Sequence, residues 1–146
     1  MSSPNWVLAR SRCTAAHYFG EIEKVIRRDV DRFNRLEAVK ERQSGFVVVS
    51  YPRGDTIEVH PAKMHDYGNG RHEWVKESGA VADFVSVICS GTTISATRAD
   101  VWRIDLKLEW NVETLACDMI LNGEVRTLDY ISQQIIGEFM FEGLCP

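Results

Sequence analysis

Apolar and charged positions alternate strictly over one stretch of the chain, Val101–Trp110. In it, Trp102, Ile104, Leu106, Leu108 and Trp110 are separated by Arg103, Asp105, Lys107 and Glu109. Successive side chains of a β-strand point to opposite faces, so this run has one apolar and one charged face. The pattern predicts a long antiparallel strand with Ile104 and Leu106 on a core and with Asp105 and Lys107 in water.

Apolar residues at spacings of three and four predict a helix near each end of the chain. The first helix follows Thr14, a favourable N-cap residue, and is expected to run to residue 43, before Gly45. Its apolar stripe consists of Phe19, Ile22, Ile26, Val30 and Phe33. The second helix covers residues 129–141, where the apolar face consists of Ile131, Ile135, Ile136, Phe139 and Met140.

Runs rich in β-branched and aromatic residues between the two helices predict the strands. They cover residues 46–51, 56–60, 84–89, 92–98, 101–110 and 114–121. Residues 124–127 are either a short last strand or a lead into the final helix. Asn122-Gly123 is a strong signal for a two-residue hairpin turn. Residues 61–81 have no clean period, so we expect an irregular loop there that is the most mobile internal segment and borders any functional site.

These elements predict a single α+β domain over residues 1–146, with residues 1–13 loosely ordered. In it, the long N-terminal helix and the C-terminal helix pack on one face of a six- or seven-stranded, mostly antiparallel sheet. The order of elements resembles that of cystatin-like folds, in which a helix lies on a curved sheet. No sequence motif accompanies this resemblance, and such folds serve unrelated functions.

Charge and composition exclude several classes of function. The net charge of -4 argues against a general nucleic-acid-binding protein. No apolar run approaches the length of about 20 residues that a membrane helix needs, and the N-terminus lacks the apolar core of a signal peptide. Cys13, Cys89, Cys117 and Cys145 are far apart and form no CxxC pair. We therefore expect reduced thiols and a cytoplasmic location.

Three of the four histidines lie close together in the sequence. His60, His65 and His72 fall within thirteen residues, at the end of one predicted strand and in the loop that follows it, near Asp66 and Glu73. Imidazole and carboxylate groups are ligands of zinc and other transition metals, so this cluster is a candidate metal site. However, its spacing matches no known metal motif, and we favour a solvated polar loop. No other catalytic or cofactor-binding motif is present in the sequence.

Aromatic residues give the remaining candidates for a binding site. The set consists of Tyr67, His72, Trp74, Trp102 and Trp110. Core packing is the simpler role for the tryptophans. The function that we favour is a small, soluble, non-enzymatic module without a cofactor, which binds a partner protein or a small apolar ligand. The alternatives are a metal-assisted enzyme with a histidine-rich loop over residues 60–73, and a structural homodimer whose sheet faces pack together.

Overall fold

A computed structural model describes residues 5–77, 83–99, 101–142 and 144. Eight strands form one sheet, in which every pairing is antiparallel. The strands are β1 (Ser44–Ser50), β2 (Thr56–Gly68), β3 (Arg71–Lys76), β4 (Val85–Ser90), β5 (Thr93–Arg98), β6 (Trp102–Asn111), β7 (Ala116–Leu121) and β8 (Glu124–Val125). Their order is β1-β2-β4-β5-β6-β7-β8, and β3 pairs with the second half of β2.

Helices pack against this sheet, which confirms the α+β class. They are α1 (Trp6–Ser11), α2 (Ala15–Asn34), α3 (Glu37–Arg42), α4 (Leu128–Ser132) and α5 (Glu138–Phe141). A π-helical turn, Gln133–Gly137, joins α4 to α5, and we call residues 128–141 the C-terminal helix. None of the described helices is long and apolar enough to cross a membrane.

The core lies between the helices and one face of the sheet. The predicted stripe of α2 is buried throughout: Phe19, Ile22, Ile26, Val30 and Phe33. On β6, Leu106 is only 1% exposed, Asp105 and Lys107 are exposed, and Ile104 is half-buried. The alternation therefore predicted correctly which face of this strand is buried. The first residues of the strand, near the C-terminal helix, are less deeply buried than Leu106 at its centre.

The long N-terminal helix was predicted too long, because α2 ends at Asn34 and a separate helix α3 follows it. The Asn34 amide donates to the backbone oxygen of Phe46 at 2.7 Å and accepts from its N–H at 2.9 Å. Among the described strands, β1 pairs with β2 alone, so Asn34 satisfies backbone groups on the outer edge of the sheet. Helix α2 thus ends directly after Phe33, the last residue of its apolar stripe, and this tertiary contact holds its final residue on β1.

The irregular loop predicted for residues 61–81 is wrong over its described part. Strand β2 continues through Pro61 to Gly68, and β3 returns as a hairpin. Gly68, Asn69 and Gly70 all have positive φ and make the turn. Most residues of the hairpin formed by β3 and the second half of β2 are exposed on both faces. Neither face therefore needs apolar residues, and the sequence shows no alternation of apolar and polar positions. Residues 78–82 lie outside the described part of the chain.

The expectation of reduced thiols is wrong for two of the four cysteines. Cys13 and Cys117 form a disulfide that joins the turn before α2 to β7, and Cys89 is a free thiol. The two half-cystines are 104 residues apart, so their proximity depends on the fold and could not be read from spacing. A disulfide removes the argument on which the cytoplasmic location rested. The segment before it, predicted to be loosely ordered, contains α1.

Candidate ligand-binding cleft

A cleft of about 690 Å³ opens between the beginning of β6 and the C-terminal helix. Its lining consists of Trp102, Ile104, Gln133, Gln134, Ile135, Gly137, Glu138, Phe139 and Phe141. The apolar face of β6 forms one wall, because Trp102 and Ile104 point towards the helices and are only half-buried. The C-terminal helix forms the other wall.

The π turn shapes the helical wall of this cleft. Thr127 caps the start of the C-terminal helix, where its hydroxyl accepts from the N–H of Tyr130. The helix then widens at Gln133–Gly137, and π turns of this kind are frequent at functional sites. Ile135 and Phe139 stay buried against the core, while Gln133 and Gln134 are exposed at the mouth of the cleft. The cleft therefore has an apolar base and a polar rim.

An ion cluster around the buried side chain of Arg98 supports the base of the cleft. Arg98, which is 9% exposed, places its guanidinium carbon 4.9 Å from the ring centre of Phe139. It donates to Asp83 at 2.7 and 2.9 Å and to both carboxylate oxygens of Glu142 at 2.8 and 2.9 Å. These bonds from Arg98 lower the pKa of the Glu142 carboxyl and raise that of the guanidinium. The cluster fixes the C-terminal helix to β5.

The lining of the cleft combines apolar side chains with a few polar ones. Gln133 and Gln134 can donate and accept hydrogen bonds, and Glu138 can accept them. The described lining contains no histidine, cysteine, serine or basic side chain, so it offers no nucleophile with an adjacent base. Glu138 takes part in no ion pair within the described part of the chain.

A second cavity of about 270 Å³ lies on the other side of the C-terminal helix, against α2, and we call it the helix groove. Its lining consists of Asp29, Arg32, Phe33, Leu36, Ser132, Gln133, Ile136, Gly137, Met140 and Phe141. At its polar end, burial raises the pKa of Asp29, but hydrogen bonds from Arg28 and Ser132 outweigh burial and leave this pKa below its ordinary value. Ser132 donates to Asp29 at 2.7 Å.

The five aromatic candidates do not meet in one site. Only Trp102 lines the cleft. Trp110 lies at the other end of β6, with the guanidinium of Arg10 at 6.0 Å from its ring. Trp74 packs against the core, and Tyr67 and His72 are exposed on the β2–β3 hairpin. The hairpin candidates therefore belong to a different surface from the cleft.

The three histidines of the metal hypothesis are also separated. His65 pairs with Glu73 and Asp66 pairs with His72, so His65 and His72 point to opposite faces of the hairpin. His60 is buried: its Nε2 lies 2.7 Å from Glu58 and its ring stacks on Phe84 at 4.7 Å. The described residues contain no group of three or more His, Cys, Asp or Glu side chains that could hold a metal ion.

Sequence reasoning missed most of the cleft. Gln133, Gln134 and Glu138 occupy polar positions of the helical pattern, where a solvated face is the ordinary interpretation. Gly137 is a weak indication of a special position, because glycine within a helix is unfavourable and often has a packing or functional role. Neither signal identifies a π turn.

Fold and cleft together define the class: an α+β protein with an antiparallel sheet, covered by helices, and an open cleft at the helix–sheet boundary. The chain matches no protein-family model, no curated protein and no solved structure. The function must therefore be argued from the geometry of the cleft itself.

Proposed function

We propose that the protein is a binding module that holds a small molecule with an apolar body in the cleft between β6 and the C-terminal helix. One observation carries this proposal: a cavity of about 690 Å³ lies between half-buried Trp102 and the π turn. Pockets for small molecules commonly measure about 300–1,000 Å³ and combine apolar walls with a few polar groups. The cleft has this size and this composition.

The energetic argument rests on the walls of the cleft. Trp102, Ile104 and Phe141 expose apolar area that a ligand would remove from water, at about 25 cal/mol for each Å². The glutamine amides at the mouth can satisfy polar groups at the end of the ligand. Without a nucleophile–base pair in the described lining, binding is better supported than turnover.

The homodimer alternative has less support. Packing of two sheets needs an apolar outer face, but Arg103, Asp105, Lys107 and Glu109 all lie on the outer face of β6. On β4, Val85 and Val87 are used by the protein's own core, and Ile88 is the exposed apolar side chain of the opposite face. An interface of this composition would bury several charges.

The test is titration with Nile red, a neutral apolar dye, followed by dye fluorescence and by the indole N–H signals of the protein in ¹H–¹⁵N NMR spectra. The chain has four tryptophans, and the signal that is lost in Trp102→Leu identifies Trp102. We expect saturable binding that shifts the Trp102 signal most. Trp102→Leu should weaken binding about tenfold, since one aromatic wall contact contributes roughly 1–1.5 kcal/mol.

Leu36→Ala is the matched control, because Leu36 lines the helix groove and not the cleft. This variant should bind the dye as the parent protein does. If Leu36→Ala abolished dye binding and Trp102→Leu did not, the binding site would be the helix groove and not the cleft. A protein that binds no dye, with all four indole signals unmoved, would refute the proposed function.

A further inference from the structure

The charges around the cleft carry an inference that rests on the proposed function and concerns the class of ligand. Among the described residues that line the cleft, Glu138 is the only charged one, and it is exposed beside the aromatic wall. It has no partner in an ion pair within the described ranges. The lining therefore presents a carboxylate without a compensating positive charge.

The ion cluster around Arg98 does not compensate this negative charge. The guanidinium of Arg98 donates hydrogen bonds to two carboxylates, those of Asp83 and Glu142, so the cluster has a net negative charge. Glu142 lies one helical turn after Glu138, so the two carboxylates are neighbours on the helix surface. The surroundings of the cleft are thus acidic, in a chain of net charge -4. An anionic ligand would meet repulsion, and the described lining offers it no basic partner.

The walls of the cleft supply aromatic rings, which attract a cationic ligand in addition to the carboxylate. The electron-rich face of an aromatic ring attracts cations, and tryptophan does so most strongly. The cleft contains Trp102 and Phe141, and its base already holds one such contact, with Arg98 over Phe139 at 4.9 Å. That contact shows a cation, an aromatic ring and carboxylates packed together in this part of the fold.

We propose that the ligand of the cleft is an organic cation, a protonated amine or quaternary ammonium group on an apolar body. Its charged end would lie between Glu138 and the face of Trp102. Its apolar body would lie against Ile104 and the base of the cleft. The glutamine amides at the mouth would bind any hydroxyl or carbonyl group that the ligand carries.

The experiment compares three probes that share one naphthyl body: naphthylmethyl-trimethylammonium, naphthylmethanol and naphthylacetate. Each is titrated into the full chain at low salt, with the Trp102 indole signal as the readout. The cation should bind about tenfold more tightly than the neutral probe, from a cation–π contact and one exposed ion pair. The anion should bind most weakly. Added sodium chloride at 0.5 M should reduce the difference between the probes.

Glu138→Gln tests the residue, and Glu113→Gln is its matched control. Both changes remove one exposed carboxylate, but Glu113 lies in the turn after β6, at the far end of that strand from Trp102. Glu138→Gln should reduce the preference for the cation over the neutral probe about threefold. Glu113→Gln should leave this preference unchanged.

The outcomes separate this inference from the proposed function. Equal affinity for all three probes, or a preference for the anion, overturns the cationic ligand while the binding module stands. Equal loss of preference in Glu138→Gln and Glu113→Gln also overturns it, because the effect would then be one of net charge. Absence of binding by every probe refutes both proposals.

Discussion

Asn34 of α2 packs closely against Gly45 of the edge strand β1. We therefore predict that substitutions at these two positions are strongly coupled in a double-mutant cycle. A Cβ atom added to Gly45 would lie 2.2 Å from Oδ1 of Asn34 and 3.0 Å from its Cγ. Real Cβ atoms do not approach other atoms so closely, so Gly45→Ala must displace the Asn34 side chain. The displaced amide loses both of its hydrogen bonds to Phe46.

The magnitude follows from those two bonds. Each hydrogen bond contributes about 0.5–1.5 kcal/mol to the free energy of unfolding. Asn34→Ala should therefore destabilise the protein by about 1–3 kcal/mol, and Gly45→Ala by a similar amount. The double variant should be little worse than Gly45→Ala alone, because the same two bonds are lost in both, and the close approach of the new Cβ atom to Cη2 of Trp74, at 3.0 Å, is also common to both. The coupling free energy should be about 1–2 kcal/mol.

Urea unfolding followed by tryptophan fluorescence measures all four free energies of the cycle. Gly20→Ala is the control, because a Cβ atom at Gly20 in α2 meets no atom within 4 Å. That variant should be stabilised by about 0.5–1 kcal/mol, as alanine is a better helix former than glycine. Additive effects of Asn34→Ala and Gly45→Ala on the free energy of unfolding would refute this coupling, since the free energies of independent sites add.

Two further predictions concern the core and the pH dependence of stability. Leu106→Ala should lower the free energy of unfolding by about 2–5 kcal/mol and Lys107→Ala by about 0.5 kcal/mol or less, both from urea unfolding; equal effects would refute the facing of β6. Because the pKa of Asp29 is lowered by folding, its contribution to stability is present above the ordinary pKa of 3.8 and is lost as the pH falls through the lower pKa of the folded state. Ser132→Ala, which removes a bond to this carboxylate, should cost about 1–2 kcal/mol at pH 7 and less at pH 2. A cost that does not change with pH would contradict this.

The parts of the fold that could be predicted are those that bury one face of a regular element. The alternation around Leu106 and the stripe around Ile26 are both consequences of one-sided burial, and both were interpreted correctly. The hairpin of β2 and β3 carries no such signal, because water covers both of its faces near Tyr67. Pro61 within β2 added a further signal against a strand.

Contacts between distant residues were beyond prediction from pattern alone. The contact of α2 with β1 depends on Asn34 meeting Phe46, and the disulfide depends on Cys13 meeting Cys117. In the candidate site, Trp102 could be named because aromatic residues in strands often line cavities. Its partners on the π turn could not, because a helical pattern assigns Gln133 and its neighbours to solvent.

The π turn links the shape of the C-terminal helix to the proposed function. Gln133, Gly137 and Phe141 line both the cleft and the helix groove, so space is left open on two sides of the same turn. The cleft is open, so its apolar side chains are in contact with water, and this contact is unfavourable. A ligand in the cleft would remove the apolar surface of Trp102 and Ile104 from water. Binding to the folded state alone would then stabilise the chain by about 2.7 kcal/mol at a ligand concentration of 100 times Kd. The exposed apolar surface beside the π turn is therefore an unfavourable contact with water that a bound ligand would remove, and this is the physical reason to look for function at this turn.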